Sequence, residues 1–511
     1  MPAEEDRKAL LLKRLTEAFG RERVLADPED LYVYACCSRF GALRLENALA
    51  VLRVEAEEDE VRLRRIVAPL RVSVYETRDK SVRATLLAGP IVIADNGKRV
   101  SFESLPGRLS ALLEAKTVKN RELKSATSLP ERFLAVLRSS PGYRVEEVED
   151  SGEGFCSLEP LLDGRETTSA KGRLVISRGL MTGDIKASPK LTEAMYSCTA
   201  CGQCYDHITL EGFEVNNAIV RARREVVAQG MEPAQCKLLR NNISGSGNPL
   251  GLPAEDRALW FEEIVEDHPY REGDLLYWTG CSTAYRLPEV VRATASVLGK
   301  AGLRFGLLGN EEGCCGLILY LLGLWDEATR NASSVVGKLA GFGAKELVTS
   351  CAGCYYTFTR VYRRLGVEPP FRVRHTSQVI ESLIKEGKLE LKGFDGSYVW
   401  HDPCDLGRHC GVYEPPRRVL SSVPRLRLVE QKLARRHALC CGGGGGMWAT
   451  NSDLAERAAR MKLDQFGELD VDGVVTGCPN CILIMRYAAG PDGAKKILDL
   501  SEVVDGCSQG S

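Results

Sequence analysis

Ten cysteines in two matching sets constrain this chain more than any other feature. The stretch opening LLYWTGC at Cys281 continues to EEGCCG (Cys314, Cys315) and then LVTSCAGC (Cys351, Cys354). The stretch opening YVWHDPC at Cys404 continues to ALCCGG (Cys440, Cys441) and then VVTGCPNC (Cys478, Cys481). Each set reads Cys, a gap, Cys-Cys, a gap, Cys-x-x-Cys. The gaps are 32 and 35 residues in the first copy and 35 and 36 in the second. With 19 cysteines in 511 residues, four further cysteines at fixed offsets arise by chance in roughly one case in half a million. Corresponding cysteines stand 123 to 127 residues apart, so the pattern is a tandem duplication of one domain.

Each copy alternates short apolar runs with helical stretches. Asp274–Thr279, Arg304–Leu308, Glu346–Thr349, Gly396–Trp400 and Gly473–Thr476 read as buried strands, and Pro288–Ala301 and Ala455–Gly467 as helices. Such alternation predicts an α/β fold with small parallel sheets. Three run-ends (WTGC, VTSC, VTGC) deliver a cysteine directly. The carboxyl ends of parallel strands are where open α/β sheets gather functional groups. The repeats are placed at 272–392 and 393–505. Residues 190–232 read as helical around one cysteine-rich turn, SCTACGQC, and 241–255 as a linker by composition.

Disulfides are the wrong explanation for so many cysteines, because disulfide scaffolds compensate for small cores and this chain has ample apolar material. Cys-x-x-Cys pairs indicate metal or redox chemistry instead. Tetrahedral zinc needs four ligands, whereas each repeat offers five thiols, so iron–sulfur is preferred with zinc in one repeat as the alternative. A net charge of −1 gives no basic excess for nucleic acid. The longest apolar run, Leu317 to Trp325, is far short of the roughly 20 residues that span a bilayer. The N-terminus reads as a charged amphipathic helix without a secretory core. The expectation is a cytoplasmic protein, with peripheral attachment at the inner face of a membrane as a variant.

The five-cysteine pattern resembles the cysteine-rich CCG domain of heterodisulfide reductase catalytic subunits. It also resembles the iron–sulfur subunits of glycolate oxidase, lactate-utilisation and anaerobic glycerol-3-phosphate dehydrogenase complexes. The likeness covers 272–505, and HDPCDLGRHCGVYEPPRRVL with ALCCGGGGGMW matches the second family repeat almost throughout. It implies a non-cubane [4Fe–4S] cluster in each repeat, with a disulfide cleaved between them. Glycines beside cluster cysteines let backbone N–H groups approach sulfur. Gly442 and Gly443 are therefore assigned to cofactor binding rather than to a phosphate loop, whose G-x-G-x-x-G spacing is absent.

Cys198, Cys201 and Cys204 follow the bacterial ferredoxin spacing, but Ile208-Thr209 replaces the expected fourth cysteine and proline. In two-cluster ferredoxins the fourth cysteine of each motif ligates the other cluster, so the missing ligand belongs to an upstream motif. Cys156 fits that position, 42 residues before Cys198, and the segment between (DGRETTSAKGRLVISRGL) resembles the inter-motif stretch of the glycolate oxidase and heterodisulfide reductase relatives. The first three positions of that upstream motif are Glu146, Glu149 and Gly152. One cubane cluster is thus lost whole and one kept whole. Asp206, His207, solvent or a [3Fe–4S] cluster is the alternative completion. The ferredoxin-like helical module is placed at 145–240.

The segment LTEAFGRERVLADPEDLYVYA resembles the opening of flavin subunits in the glycolate and D-lactate oxidase family. Without a pyrophosphate-cradling glycine segment, 1–130 is read as an α+β relic or docking domain that binds no FAD. Cys36, Cys37, Cys236, Cys410 and Cys507 are assigned no role, as free cysteines pack as small hydrophobes. His401 adjoins a predicted ligand and is the candidate catalytic residue, set against a buried structural role; Asp405 and His409 carry the same ambiguity. The expected function is electron relay between a flavoprotein or other redox subunit and an acceptor, a quinone or small-molecule disulfide, with a membrane-associated acceptor among the partners. Catalytic disulfide reduction is the alternative, and a zinc-stabilised scaffold the third.

Overall fold

The computed structural model describes residues 4–27, 29–30, 48–53, 73–79, 82–88, 93–95, 98–100, 156, 158–162, 166–204, 215–259, 274–491, 493 and 495–509, with single residues at 62 and 264. The expectations for Cys36, Cys37, Glu146, Glu149, Gly152, Asp206 and His207 lie outside these residues. The chain forms two compact units, 1–154 with 162–194, and 155–161 with 195–511.

In the first unit, α1 (Glu4–Phe19) buries Leu11, Leu15 and Phe19 on one face. An antiparallel sheet follows, built from β1 (Val24–Leu25), β2 (Ala48–Arg53), β3 (Ser73–Asp79) and β4 (Val82–Ala88) in the order β1-β2-β4-β3. β5 (Ile93–Asp95) and β6 (Lys98–Val100) form a separate hairpin. α2 (Ala170–Thr182) starts where the Ser169 hydroxyl accepts from Gly172 N at 2.9 Å and stops at left-handed Gly183. Residues 162–194, inside the stretch read as ferredoxin-like, group with this unit.

The second unit opens at the end of α3 (Pro189–Tyr196) and continues through α4 (Val215–Ala228) and α5 (Ala234–Ser246). Residues 247–254 are loop as expected, but α5 corrects the linker expectation for 241–246. Asn, Ser and Gly suggest a loop there, but Cys236, Leu239 and Ile243 bury one helical face, and left-handed Gly247 ends the helix only after Ser246.

The first repeat carries β7 (Leu275–Trp278), β8 (Gly306–Leu307), β9 (Glu346–Thr349) and β10 (Arg372–His375), all parallel, in the order β10-β9-β7-β8. Around them lie α6 (Cys281–Arg286), α7 (Pro288–Lys300), α8 (Leu317–Leu321), α9 (Trp325–Gly341), α10 (Ala352–Tyr356) and α11 (Thr376–Lys385). β11 (Glu390–Leu391) leads into the second repeat. There β12 (Gly396–Trp400), β13 (Leu426–Val429), β14 (Gly473–Thr476) and β15 (Lys496–Asp499) are again all parallel, in the order β13-β12-β14-β15. Its helices are α12 (Glu414–Ser421), α13 (Met447–Thr450), α14 (Ser452–Gly467), α15 (Pro479–Ala489) and α16 (Leu500–Cys507).

Numbered within its own repeat, each sheet runs 2-1-3-4, so the duplication read from cysteines is a duplication of topology. The expected strands all form, trimmed by a residue or more at Asp274–Thr279 and Arg304–Leu308. β10, β13 and β15 were not expected. They are edge strands with charged residues (RVRH, LRLV, KILD), and one-sided burial leaves no continuous apolar run. Trp278 and Trp400 end the first strand of each sheet and are fully buried.

The repeats are fastened to each other. Thr294 and Ser501 join α7 to α16 at 2.9 Å, and Lys300 Nζ donates to Asp505 at 2.7 Å. β11 pairs antiparallel with β16 (Ser508–Gln509), returning the C-terminus to the junction between repeats.

Candidate metal centre

In a 2-1-3-4 sheet the connections diverge between strands 1 and 3, which opens a crevice at their carboxyl ends. The cysteines stand there. Cys281 follows β7 and Cys404 follows β12, while Cys351-x-x-Cys354 follows β9 and Cys478-x-x-Cys481 follows β14. Cys351 and Cys478 are each the N-cap of a helix, so the second cysteine of each pair lies on its first turn. Backbone N–H groups left free at a helix start favour negative charge, and Cys354 N donates to Cys351 Sγ at 3.4 Å.

The Cys-Cys pairs are turned inward by the glycine that follows. Gly316 (φ +81°) and Gly442 (φ +87°) are left-handed, a conformation L side chains rarely adopt. A Cβ on Gly442 would also lie 2.5 Å from Ala455 O. Gly316 N donates to Cys314 Sγ at 3.3 Å, Gly442 N to Cys440 Sγ at 3.5 Å, and the Gly443 amide to the Cys441 thiol.

Within the sets, Cys281 and Cys314 sulfurs are 4.0 Å apart and those of Cys441 and Cys481 3.2 Å. Hydrogen bonds from Cys314 and Cys354 hold Cys315 well below the ordinary thiol range. Those from Cys440 and Cys481 bring Cys441 down to about 5. The sets also sense each other. Cys354 draws the Cys351 thiol down, but burial and the charge of Cys478 outweigh it and leave Cys351 raised.

The turn Cys198–Cys204 is seated on the second repeat. Arg223, fully buried on α4, donates to the carbonyls of Met195 (2.9 Å), Cys198 (2.6 Å), Leu321 (2.8 Å) and Gly445 (2.6 Å). Arg408 Nε donates to Cys201 O at 2.8 Å, and His409 Nε2 faces Ala200 O at 3.0 Å. A Cβ on Gly445 would lie 2.4 Å from the Thr199 carbonyl carbon. The glycine run therefore divides its work: Gly442 and Gly443 face sulfur, and Gly444–Gly446 admit a neighbouring backbone and Leu322. Cys201 donates to Cys440, and this with burial pushes its thiol well up. Cys198 accepts from Ala200 N at 3.4 Å. Cys204 is half-buried. Cys156 is half-buried too, just before the turn at 159–161 that packs on α14.

His401 is buried, with neither ring nitrogen hydrogen-bonded. A ring nitrogen lies within 4.8 Å of the Cys441 and Cys481 sulfurs. Burial pushes its pKa down to about 3, so the ring is neutral. Buried polar atoms are ordinarily satisfied. These orphans beside clustered thiols are what a resident sulfur-rich group would complete, and the residues fit iron–sulfur chemistry. Cys236 and Cys507 are buried, and Cys410 packs against Thr359.

Sequence reading missed Arg223, Arg408 and Lys462. Only the last had a signal, as a lysine on the apolar face of a predicted helix. Glu312 was missed as well. Its buried carboxylate accepts from Arg257 (2.7 Å), Thr279 N (2.9 Å) and Gly280 N (2.7 Å) and so shapes the turn into Cys281.

Two such domains define a class, the iron–sulfur oxidoreductases built on paired cysteine-rich domains. The CCG cysteine-rich domain matches residues 275–359 and 398–486. A dihydromethanophenazine:CoB--CoM heterodisulfide reductase subunit of Methanosarcina acetivorans is 32% identical over 316 residues, 61% of this chain and 76% of that protein. EtfAB:quinone oxidoreductase of Syntrophomonas wolfei is 29% identical over 335 residues, 61% of this chain and 46% of its own length. A probable membrane-anchored ferredoxin of Chromohalobacter salexigens is 31% identical over 326 residues, 61% and 48%. The chain belongs to the CCG-domain iron–sulfur oxidoreductase family, which includes that heterodisulfide reductase subunit. Among the described residues no helix is long and apolar enough to cross a membrane.

Proposed function

We propose that this chain relays electrons from a flavin-bearing or other redox subunit to an acceptor, a quinone or a disulfide. The observation that carries the reading is the seating of the Cys198–Cys204 turn against Cys440, with Cys351 of the first set within electrostatic reach of Cys478 of the second. Cys156, Cys198, Cys201 and Cys204 would hold a cubane [4Fe–4S] cluster. Cys281, Cys314, Cys315, Cys351 and Cys354 would hold one non-cubane cluster, and Cys404, Cys440, Cys441, Cys478 and Cys481 the other. Bound clusters supply one-electron chemistry whose potential follows net charge, hydrogen bonds and exposure.

The protein's part is positional. Arg223 and Arg408 hold the turn by its carbonyls, Gly442 and Gly443 offer N–H groups to sulfur, and the buried Trp278 and Trp400 exclude water from the strand ends. Hydride chemistry, for which the sequence carries no nicotinamide fingerprint, falls to a partner. Catalytic disulfide reduction is the second reading, favoured by the mutual approach of the two sets. Association with a membrane-bound acceptor is part of the proposal, supported by the likeness to the membrane-anchored ferredoxin of Chromohalobacter.

Iron and acid-labile sulfide per chain, with EPR of the reduced and thiol-oxidised forms, test both. About twelve irons are expected for three [4Fe–4S] clusters. New signals on thiol addition would select disulfide chemistry. About four irons with zinc elsewhere would leave one relay centre on a structural scaffold and end both readings of the paired sites.

A further inference from the structure

We infer that the two cysteine sets are electrically unequal, and that Arg408, supported by Lys462, makes the second-repeat centre the first to take an electron from the Cys198–Cys204 turn. This rests on the reading of both sets as cluster ligands.

Backbone donors do not separate the sets. Gly316, Leu317 and Cys354 direct amides at first-set thiols, and Gly442 and Gly443 do so in the second. Side-chain charge does separate them. Beside the first set, Arg257 is buried but paired with Glu312 at 2.7 Å, so the two contribute no net charge. Asp405 stands between the sets: its Oδ2 lies 3.4 Å from where a Cβ on Gly353 would sit, between Cys351 and Cys354, while its Oδ1 accepts from Cys404 Sγ of the second set at 3.8 Å, so its carboxylate does not tell the two apart.

The second set faces cations. The Arg408 guanidinium is spent on carbonyls alone: Cys201 at 2.8 Å, Arg436 at 3.1 Å and Ala438 at 2.6 Å. Its Nη2 is buried without a partner, and the thiol groups of Cys201, Cys404 and Cys440 act on its charge. Lys462 is fully buried, donating to Gln431 Oε1 at 2.6 Å and lying 4.5 Å from the Phe466 ring. The nearby buried carboxylate, Asp402, is already held by both Nη atoms of Arg417 at 2.7 Å and by Arg435 N at 2.7 Å. Burial brings Lys462 down to about 7, so the permanent charge is that of Arg408.

A cation fixed in a low-dielectric interior stabilises the more negative, reduced state of its neighbour. The buried Nη2 of Arg408, without a partner of its own, would be satisfied by a sulfur acceptor. The step balances as a single electron. A reduced flavin or ferredoxin-type partner is oxidised, the electron crosses at the Cys201–Cys440 contact, and the second-repeat centre is reduced. No proton and no covalent bond moves.

The test is a stepwise reductive titration of the anaerobic, iron-loaded full chain under EPR, with iron counted, in the native protein and in Arg408→Gln and Arg408→Lys. Cys281→Ser and Cys478→Ser variants assign the two signals. The second-repeat signal is expected to appear at the higher potential. Arg408→Gln is expected to shift its oxidised-to-reduced ratio at least tenfold, about 59 mV for one electron, with the first-repeat couple unmoved and Arg408→Lys restoring most of the shift. If Arg408→Gln sheds iron, Lys462→Met reads the same couple, and a downward shift supports the inference. The inference is overturned by first-repeat reduction at the higher potential, by both couples moving together, or by neither moving at full iron content. Native protein holding zinc at the ten thiols instead ends the underlying reading.

Discussion

Protonation of His375 is expected to cost this fold about 2 kcal/mol at pH 5, and the cost follows from where the ring sits. His375 ends β10, caps α11 and is fully buried. Its Nδ1 accepts from Ser377 N at 3.2 Å, so the proton is on Nε2, which donates to Gly477 O at 2.9 Å. Gly477 precedes Cys478, so the ring ties the first repeat to the Cys478–Cys481 turn of the second. Burial lowers its pKa from 6.5 to about 4. Above pH 6.5 both folded and unfolded chains carry the neutral ring and nothing is lost. As the pH falls toward 4 the unfolded chain takes the proton and the folded chain does not. At pH 5, about 1.5 units below the unfolded value, the loss is about 2 kcal/mol. In His375→Asn the amide oxygen can still cap α11 but cannot reach Gly477. Urea unfolding at pH 8 should find the variant weaker by about 1–2 kcal/mol, one buried hydrogen bond. At pH 5 the gap should close or reverse. The difference cancels other buried groups that titrate in this range, such as Asp499 at about 7. A gap equal at both pH values would mean that His375 titrates alike in both states, and the argument would fail.

Gly442→Ala meets a backbone oxygen at 2.5 Å, whereas Gly316→Ala meets the movable Asn331 side chain at 2.6 Å. Both carry left-handed strain of about 1–2 kcal/mol, so Gly442→Ala should lose more stability and more iron in thermal melts and metal analysis. Glu312→Ala strands the buried Arg257 and should cost about 3–5 kcal/mol by urea unfolding; Glu312→Leu with Arg257→Met should recover most of that. Cys156→Ser should remove about four irons if Cys156 completes the cubane ligand set, with Cys236→Ser unchanged; equal iron in both would remove Cys156 from that set. Gly445→Ala should unseat the Cys198–Cys204 turn, slowing reduction of the second-repeat signal in stopped-flow EPR while iron per chain stays near native.

What the sequence made legible was whatever is local or continuous. Strands buried on both faces, such as Leu275–Trp278 and Gly473–Thr476, appear as unbroken apolar runs, and each run-end hands over a cysteine. The edge strands β10 and β13 alternate arginine with apolar residues and resemble loop. The ten thiols were visible because their spacing survives duplication. The seating of the ferredoxin-type turn was not visible. Arg408 reaches Cys201 across 207 positions and Arg223 reaches Gly445 across 222. Neither carries a motif, since a guanidinium that binds carbonyls needs no acidic partner at fixed spacing.

The two copies keep what holds the thiols and differ in what surrounds them. Strand order, the cysteine N-cap after the third strand and the left-handed glycine after each Cys-Cys pair are common to both. After the buried tryptophan, the first copy has Thr279-Gly280, bound to Glu312, and the second has His401-Asp402-Pro403, with Asp402 bound to Arg417. Beyond the third strand, the first copy has a π-helical turn at Thr357–Val361 where the second has a regular helix, and such turns gather at functional sites. Thr359 of that turn faces Cys410, two residues after Arg408. The scaffold is therefore repeated, while the loop from Asp405 to Cys410 belongs to the second copy alone and touches the first copy and the Cys198–Cys204 turn together. On the inference drawn above, that loop is where the two copies would come to differ in task.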